Sequence, residues 1–165
     1  MKNSIVIVSL SISLFLLSFA PPSKMKYTSK EGKLMVTFPN EYKTEDKNTE
    51  AYSSKETKAT LDGQLFFVTY NIHNVKLTNH ESLAKTSLES FVEAIGGTIT
   101  SQNVWIINNN NGLKARLKIE KNDLIAEYGV VLVGDIQYQV AVVSETAKWN
   151  QARSDAFFKS FKLKK

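Results

Sequence analysis

The strongest constraint in this chain is the dipeptide Asp62-Gly63, set between two ten-residue runs, Ala51 to Thr60 and Gln64 to His73. Asp-Gly tolerates the positive φ that a type I′ turn needs, and that turn has the twist that matches two antiparallel strands. A β-ribbon of this length is not stable alone and must bury one face. The rest of the chain therefore has to supply more strands and a cover.

More strands follow from the same punctuation. Tyr27 to Lys30, the turn at Glu31-Gly32, and Lys33 to Phe38 form a first hairpin, with Leu34, Val36 and Phe38 alternating onto one face before Pro39 stops it. Asn40 to Asn48 is polar and unpatterned and reads as a surface loop. The period then changes. Thr78-Asn79-His80-Glu81 is a capping-box pattern, and Ala84, Leu88, Phe91, Val92 and Ile95 make one apolar stripe on a helix that ends at Gly96-Gly97. After it come Thr98 to Ile107, an Asn-rich turn at Asn108 to Gly112, Leu113 to Glu120, a turn at Asn122-Asp123, Leu124 to Val133, a turn at Gly134-Asp135, and Ile136 to Ser144. This is an antiparallel meander of four strands. Its last strand is apolar on both faces, with Ile136, Tyr138, Val140 and Val142 on one and Ala141 and Val143 on the other, so it is central and covered twice. A second helix supplies that second cover. It is capped by Ser144 or Thr146, carries Trp149, Ala152, Ala156 and Phe157, and ends near Lys159, with Phe161 and Leu163 packing as extended chain.

Ahead of the domain, Ile5 to Phe19 is almost uninterruptedly apolar behind Lys2, the layout of an export signal. As a helix this run spans roughly 22 Å, short of a bilayer's roughly 30 Å core. Ser18, Phe19 and Ala20 fit a cleavage site, but Pro21 directly after it is a poor fit for a protease cleft, leaving an uncleaved anchor as the alternative. The organisation read here is residues 1–20 as signal peptide, 21–25 as spacer and 26–165 as one domain. Zero cysteine excludes disulfides, thiolate metal sites and lipid anchoring through an acylated cysteine.

The opening Ser-x-Glu-Gly-x-x-x-Val-x-Phe-Pro of Ser29 to Pro39, the strand and helix order, and the closing Phe157-Phe158-Lys159-Ser160-Phe161 resemble the PsbP-like superfamily. Its members include the extrinsic photosystem II subunit, a nuclear-import factor that binds Ran, and exported bacterial proteins similar to DcrB. The resemblance covers about residues 26–163 and implies an α+β fold, an antiparallel sheet sandwiched by helices, with two helices and about seven to eight strands. It also implies an accessory or binding role without catalytic residues. DcrB-like proteins carry a lipidated cysteine that this chain lacks.

Catalytic and cofactor signatures are missing from the sequence: no Gly-x-Ser-x-Gly elbow, phosphate loop or dinucleotide fingerprint occurs. His73 and His80 are too few for a zinc site without carboxylates of no supporting spacing. No catalytic, cofactor or metal residue is assigned. Without residues 1–20 the chain has 20 basic against 16 acidic side chains, too mild for a nucleic-acid binder. Three surface features remain as candidates. Lys114, Arg116 and Lys118 point away from the core face of their strand, toward an anionic membrane surface or acidic partner. Trp105 with Asn108, Asn109, Asn110 and Asn111 forms a candidate binding loop, although asparagine serves equally as a positive-φ turn residue. Lys159, Lys162, Lys164 and Lys165 around Phe158, Phe161 and Leu163 offer a second membrane-facing reading, or simply complement the helix dipole.

The function read from these features is an exported, non-enzymatic accessory or protein-binding module of the cell envelope, its partner an unidentified envelope protein. The rivals are a small-ligand or lipid carrier, which needs an apolar cavity between sheet and helix, and an unrecognised hydrolase.

Overall fold

The computed structural model describes residues 23–164. The expected export signal at 1–20, with its cleavage site and Pro21 and Pro22 of the spacer, lies outside the described residues.

The first hairpin is β1 (Met25–Ser29) with β2 (Leu34–Phe38), paired so that Tyr27 faces Val36. Leu34, Val36 and Phe38 alternate into the core and are fully buried. The next strand corrects the expected loop at residues 40–48: β3 (Tyr42–Asn48) pairs along its whole length with β4 (Tyr52–Leu61). Its side chains beyond Tyr42 are exposed on both faces, so it carries no apolar alternation; backbone pairing and ion pairs across to β4, Lys58 to Glu45 at 3.0 Å and Lys55 to Asp46 at 3.1 Å, hold it. The hairpin of β4 with β5 (Gln64–His73) turns at Asp62 and Gly63, whose φ values are +48° and +79°.

Helix α1 (His80–Ile95) lies where the 3.6-residue stripe placed it, with Ala84 and Leu88 buried. Its cap is Asn79, whose side chain accepts from the Ser82 amide; at the other end the Gly96 and Gly97 amides donate to Glu93 and Val92. The meander follows as β6 (Thr98–Ile107), β7 (Asn110–Ile119), β8 (Leu124–Val133) and β9 (Ile136–Glu145). Its first turn is tighter than expected. Asn108 and Asn109, at φ +48° and +65°, form it alone, so Asn110, Asn111 and Gly112 are strand residues.

The C-terminal helix α2 (Gln151–Ser160) starts later than expected. Ser144 is buried in β9, and the Thr146 hydroxyl donates to Asp123 from a short 3-10 turn, so neither caps the helix. Asn150 does, accepting from the Arg153 amide at 3.1 Å. After Phe161 the chain is extended, as expected, and forms β10 (Lys162–Leu163) on β2.

Among the described residues ten strands thus replace the seven or eight expected, β3 and β10 being the additions, and they form two antiparallel sheets. The larger has the order β3-β4-β5-β9-β8-β7-β6, with β9 central; the smaller has β1-β2-β10. Helix α1 covers one face of the large sheet through Leu88, Leu117, Tyr128, Leu132 and Ala141. The other face is covered by the small sheet as well as by α2, through Phe38, Phe66, Val140, Phe157 and Phe161.

Candidate functional site

The cationic strand is β7, an interior strand flanked by β6 and β8. Leu117 and Ala115 point at α1, as the alternation requires, and Lys114 and Arg116 point the opposite way. That direction leads beneath α2, where Glu127 of β8 is buried. Lys114 pairs with it at 2.8 Å and Arg116 at 3.2 Å, while Gln151 and Ser154 of α2 each donate to it at 2.8 Å. Burial pushes the Glu127 carboxyl up, but hydrogen bonds from Lys114, Gln151 and Ser154 outweigh it and hold the group below its ordinary value. The two cations also lie over rings, Lys114 on Phe158 and Arg116 on Trp149. Of the three, Lys118 is the exposed one, and it pairs with Glu120 at 3.0 Å. The row expected to meet an anion from outside is thus largely engaged by an internal one, a residue the sequence reading did not single out.

The candidate loop divides in two. Trp105 is half-buried against Phe158 and Phe161, at 5.7 and 5.6 Å between ring centroids, and it packs there because Gly129 of β8 leaves room: a Cβ on Gly129 would approach the Trp105 ring to 2.9 Å. The Asn108 amide donates to the Leu163 carbonyl at 2.9 Å, tying the tail down, and the Asn110 amide donates to the carbonyls of Ile107 and Asn108 across its own turn. Asn109 and Asn111 have no such duties among the described residues. They line a cleft of about 350 Å³ between the β6–β7 hairpin tip and the start of α1, with His80 and Glu81 on its rim and Ala84, Leu113 and Leu132 in its apolar part. His80 enters this cleft because Asn79 caps α1 one residue before it. No spacing rule in the sequence joins residues 80–84 to residues 109–113; the packing of α1 on β7 and β8 does.

No protein-family profile matches the chain, and no curated protein matches it. Among solved structures it is similar to the solution structure of cyanobacterial PsbP (CyanoP) from Synechocystis, with a TM-score of 0.62 at 10% identity over 88% of this chain and 95% of that one. The fold is PsbP-like. A crystal structure from Bacteroides thetaiotaomicron is also similar, with a TM-score of 0.44 at 8% identity over 85% of this chain and 48% of that one.

Within the PsbP-like fold the opening Ser29 to Pro39 stretch works as a clamp. Ser29 donates to the Tyr70 hydroxyl at 3.0 Å, and that hydroxyl donates to Glu31 at 3.1 Å. The closing Phe157, Phe158 and Phe161 are all buried, so the tail presents exposed Lys159, Lys162 and Lys164 without an apolar insertion face. His73 lies 5.6 Å from the Tyr52 ring at the end of β5, apart from His80. Among the described residues no group of three or more His, Cys, Asp or Glu is placed to hold a metal ion, and no helix is long and apolar enough to cross a membrane. The sandwich interior is filled from both sides, and a surface groove of about 570 Å³ lies between β2 and α2, lined by Phe38, Pro39, Ala156 and Phe157 with Lys24 and Arg153 at its margin.

Proposed function

We propose that this chain is an exported, non-enzymatic accessory or protein-binding module of the cell envelope. The observation that carries the reading is the cleft at the hairpin tip, where two asparagine amides with no structural task sit beside an apolar floor and one half-buried imidazole. Amides and apolar carbon presented together suit a protein surface, where orientation comes from hydrogen bonds and affinity from desolvated side chains. Buried Glu127 is taken up by Lys114 and Ser154, and buried Tyr70 by Ser29 and Glu31, which supports a scaffold without a reacting group. The apolar run from Ile5 to Phe19 supports export.

A photo-crosslinking side chain at Asn111 tests the reading in envelope extracts. A captured protein that is lost when Asn109→Trp fills the cleft is the expected result; no capture overturns it. Intact Met1 on cytoplasmic material, read by mass spectrometry, would overturn export.

A second reading, a carrier of small amphiphiles, is favoured by the β2–α2 groove, whose walls are apolar and whose margin holds Lys24 and Arg153. Anionic amphiphiles that raise the melting temperature of the wild type but not of Ala156→Trp would support it.

A further inference from the structure

The two edges of the large sheet differ in kind. At one end β3 carries Lys43, Glu45, Asp46 and Lys47, charges of the sort that keep an edge strand from pairing with another chain. At the other end β6 runs ten residues without a charge, and nearly all of it is exposed. Trp105 and Ile107 turn inward toward α2, so Val104 and Ile106 emerge on the α1 side, each 64% exposed. Helix α1 packs over β7 and β8 and leaves that row uncovered.

Hydrogen-bond direction picks out the same residues. The two-residue turn at Asn108 and Asn109 makes Ile107 and Asn110 a hydrogen-bonded pair, and alternation then directs the N–H and C=O of Ile106, Val104 and Gln102 at the open edge. A bulge between Ile99 and Ser101 interrupts the ladder, so the regular segment is Ser101 to Ile107, and its midpoint is Val104.

We infer that β6 pairs antiparallel with β6 of a second copy about a two-fold axis at Val104. A two-fold interface must be self-complementary. This one sets Val104 on Val104 and Gln102 opposite Ile106, with no like charges facing, and closes the two exposed apolar rows against each other in one sheet running through both copies. The neighbouring cations on β7 do not oppose it, because Glu127 holds Lys114 and Arg116 and Glu120 holds Lys118. The inferred seam adjoins the cleft, whose lining includes Val104 and whose Asn111 pairs with Ile106, but it rests on the open backbone edge of β6 and not on the Asn109 and Asn111 amides.

The absence of cysteine makes the test clean. Hydrogen-bonded antiparallel neighbours have Cα atoms about 5.5 Å apart, within disulfide range. The full chain carrying Val104→Cys is expected to form a covalent dimer on mild oxidation, while Glu45→Cys on the opposite edge is not. Sedimentation is expected to give a dimer for the wild type and a monomer for Val104→Lys, whose circular dichroism stays unchanged because the side chain is exposed. Equal cross-linking of both cysteine variants, or a wild type that stays monomeric across a dilution series, overturns the inference. So does capture of a different protein's strand at Val104→Cys. A monomer that still captures a partner from Asn111 leaves the cleft reading standing.

Discussion

Replacing Glu127 by alanine strips Lys114 and Arg116 of their shared anion and the Ser154 hydroxyl of its acceptor. Breaking a buried pair costs about 3 to 5 kcal/mol, and both cations here keep some hydration, so urea unfolding at pH 7 is expected to show a loss below that range, about 2 to 3 kcal/mol. Because the folded carboxyl is held below the ordinary value of 4.5, its contribution is complete above that pH and is lost as pH falls through the lowered folded value. Glu127→Gln is therefore expected to flatten the acid limb of the stability curve; an unchanged limb would contradict the assignment. Tyr128 gives the opposite case. Its hydroxyl is buried with no hydrogen-bond partner among the described residues, and burial pushes its pKa well up. Tyr128→Phe keeps the stack on Phe91 and is expected to leave the stability read by thermal unfolding equal or raised, by up to about 1 kcal/mol. The alternation of Lys114, Arg116 and Lys118 was readable in the sequence, but their destination was not. Alternation sorts side chains between two faces, and in a sheet covered on both sides the polar face leads into a second layer.

Among elements, the hairpins and α1 were legible because each has a local cause: Asp62-Gly63 for the turn, and the Ala84, Leu88, Phe91 stripe with Gly96 and Gly97 after it for the helix. Strand β3 was not, since a strand exposed on both faces has no reason to alternate, and its pairing partner β4 lies outside its own sequence. The start of α2 was hidden by competition. Ser144, Thr146 and Asn150 all have capping side chains, and only the packing of Glu145 to Trp149 as a short turn decides among them. Asn150→Ala removes the acceptor for the Arg153 amide and is expected to cost about 1 kcal/mol by thermal unfolding, whereas Thr146→Val, which touches no helix amide, should leave α2 intact.

For the whole molecule, the resemblance carried by Ser29 to Pro39 and Phe157 to Phe161 reached the fold because those residues build the second layer, but the cleft joins α1 to a hairpin tip and needs the assembled chain. The tail is part of that assembly. Phe161 is buried against Trp105 and Tyr138, β10 pairs with β2, and the Lys164 amide donates to Lys33. Deleting residues 161–165 is expected to cost at least about 3 kcal/mol and to lower the melting temperature by roughly 6 to 12 °C. An unshifted transition would show that the small sheet does not depend on β10. The order of the large sheet also sets a timetable. Strands β3 to β5 pair locally, as do β6 to β9, and one seam, β5 on β9, joins the two halves. A ribosome working at about 5 to 20 residues per second must add roughly sixty residues between Ile72 and its partner Ile136, so the nascent chain carries an open β5 for about 3 to 13 s. During that interval the half-built sheet is a client for whatever holds unfinished chains apart, and the large sheet cannot close before β9 has been made.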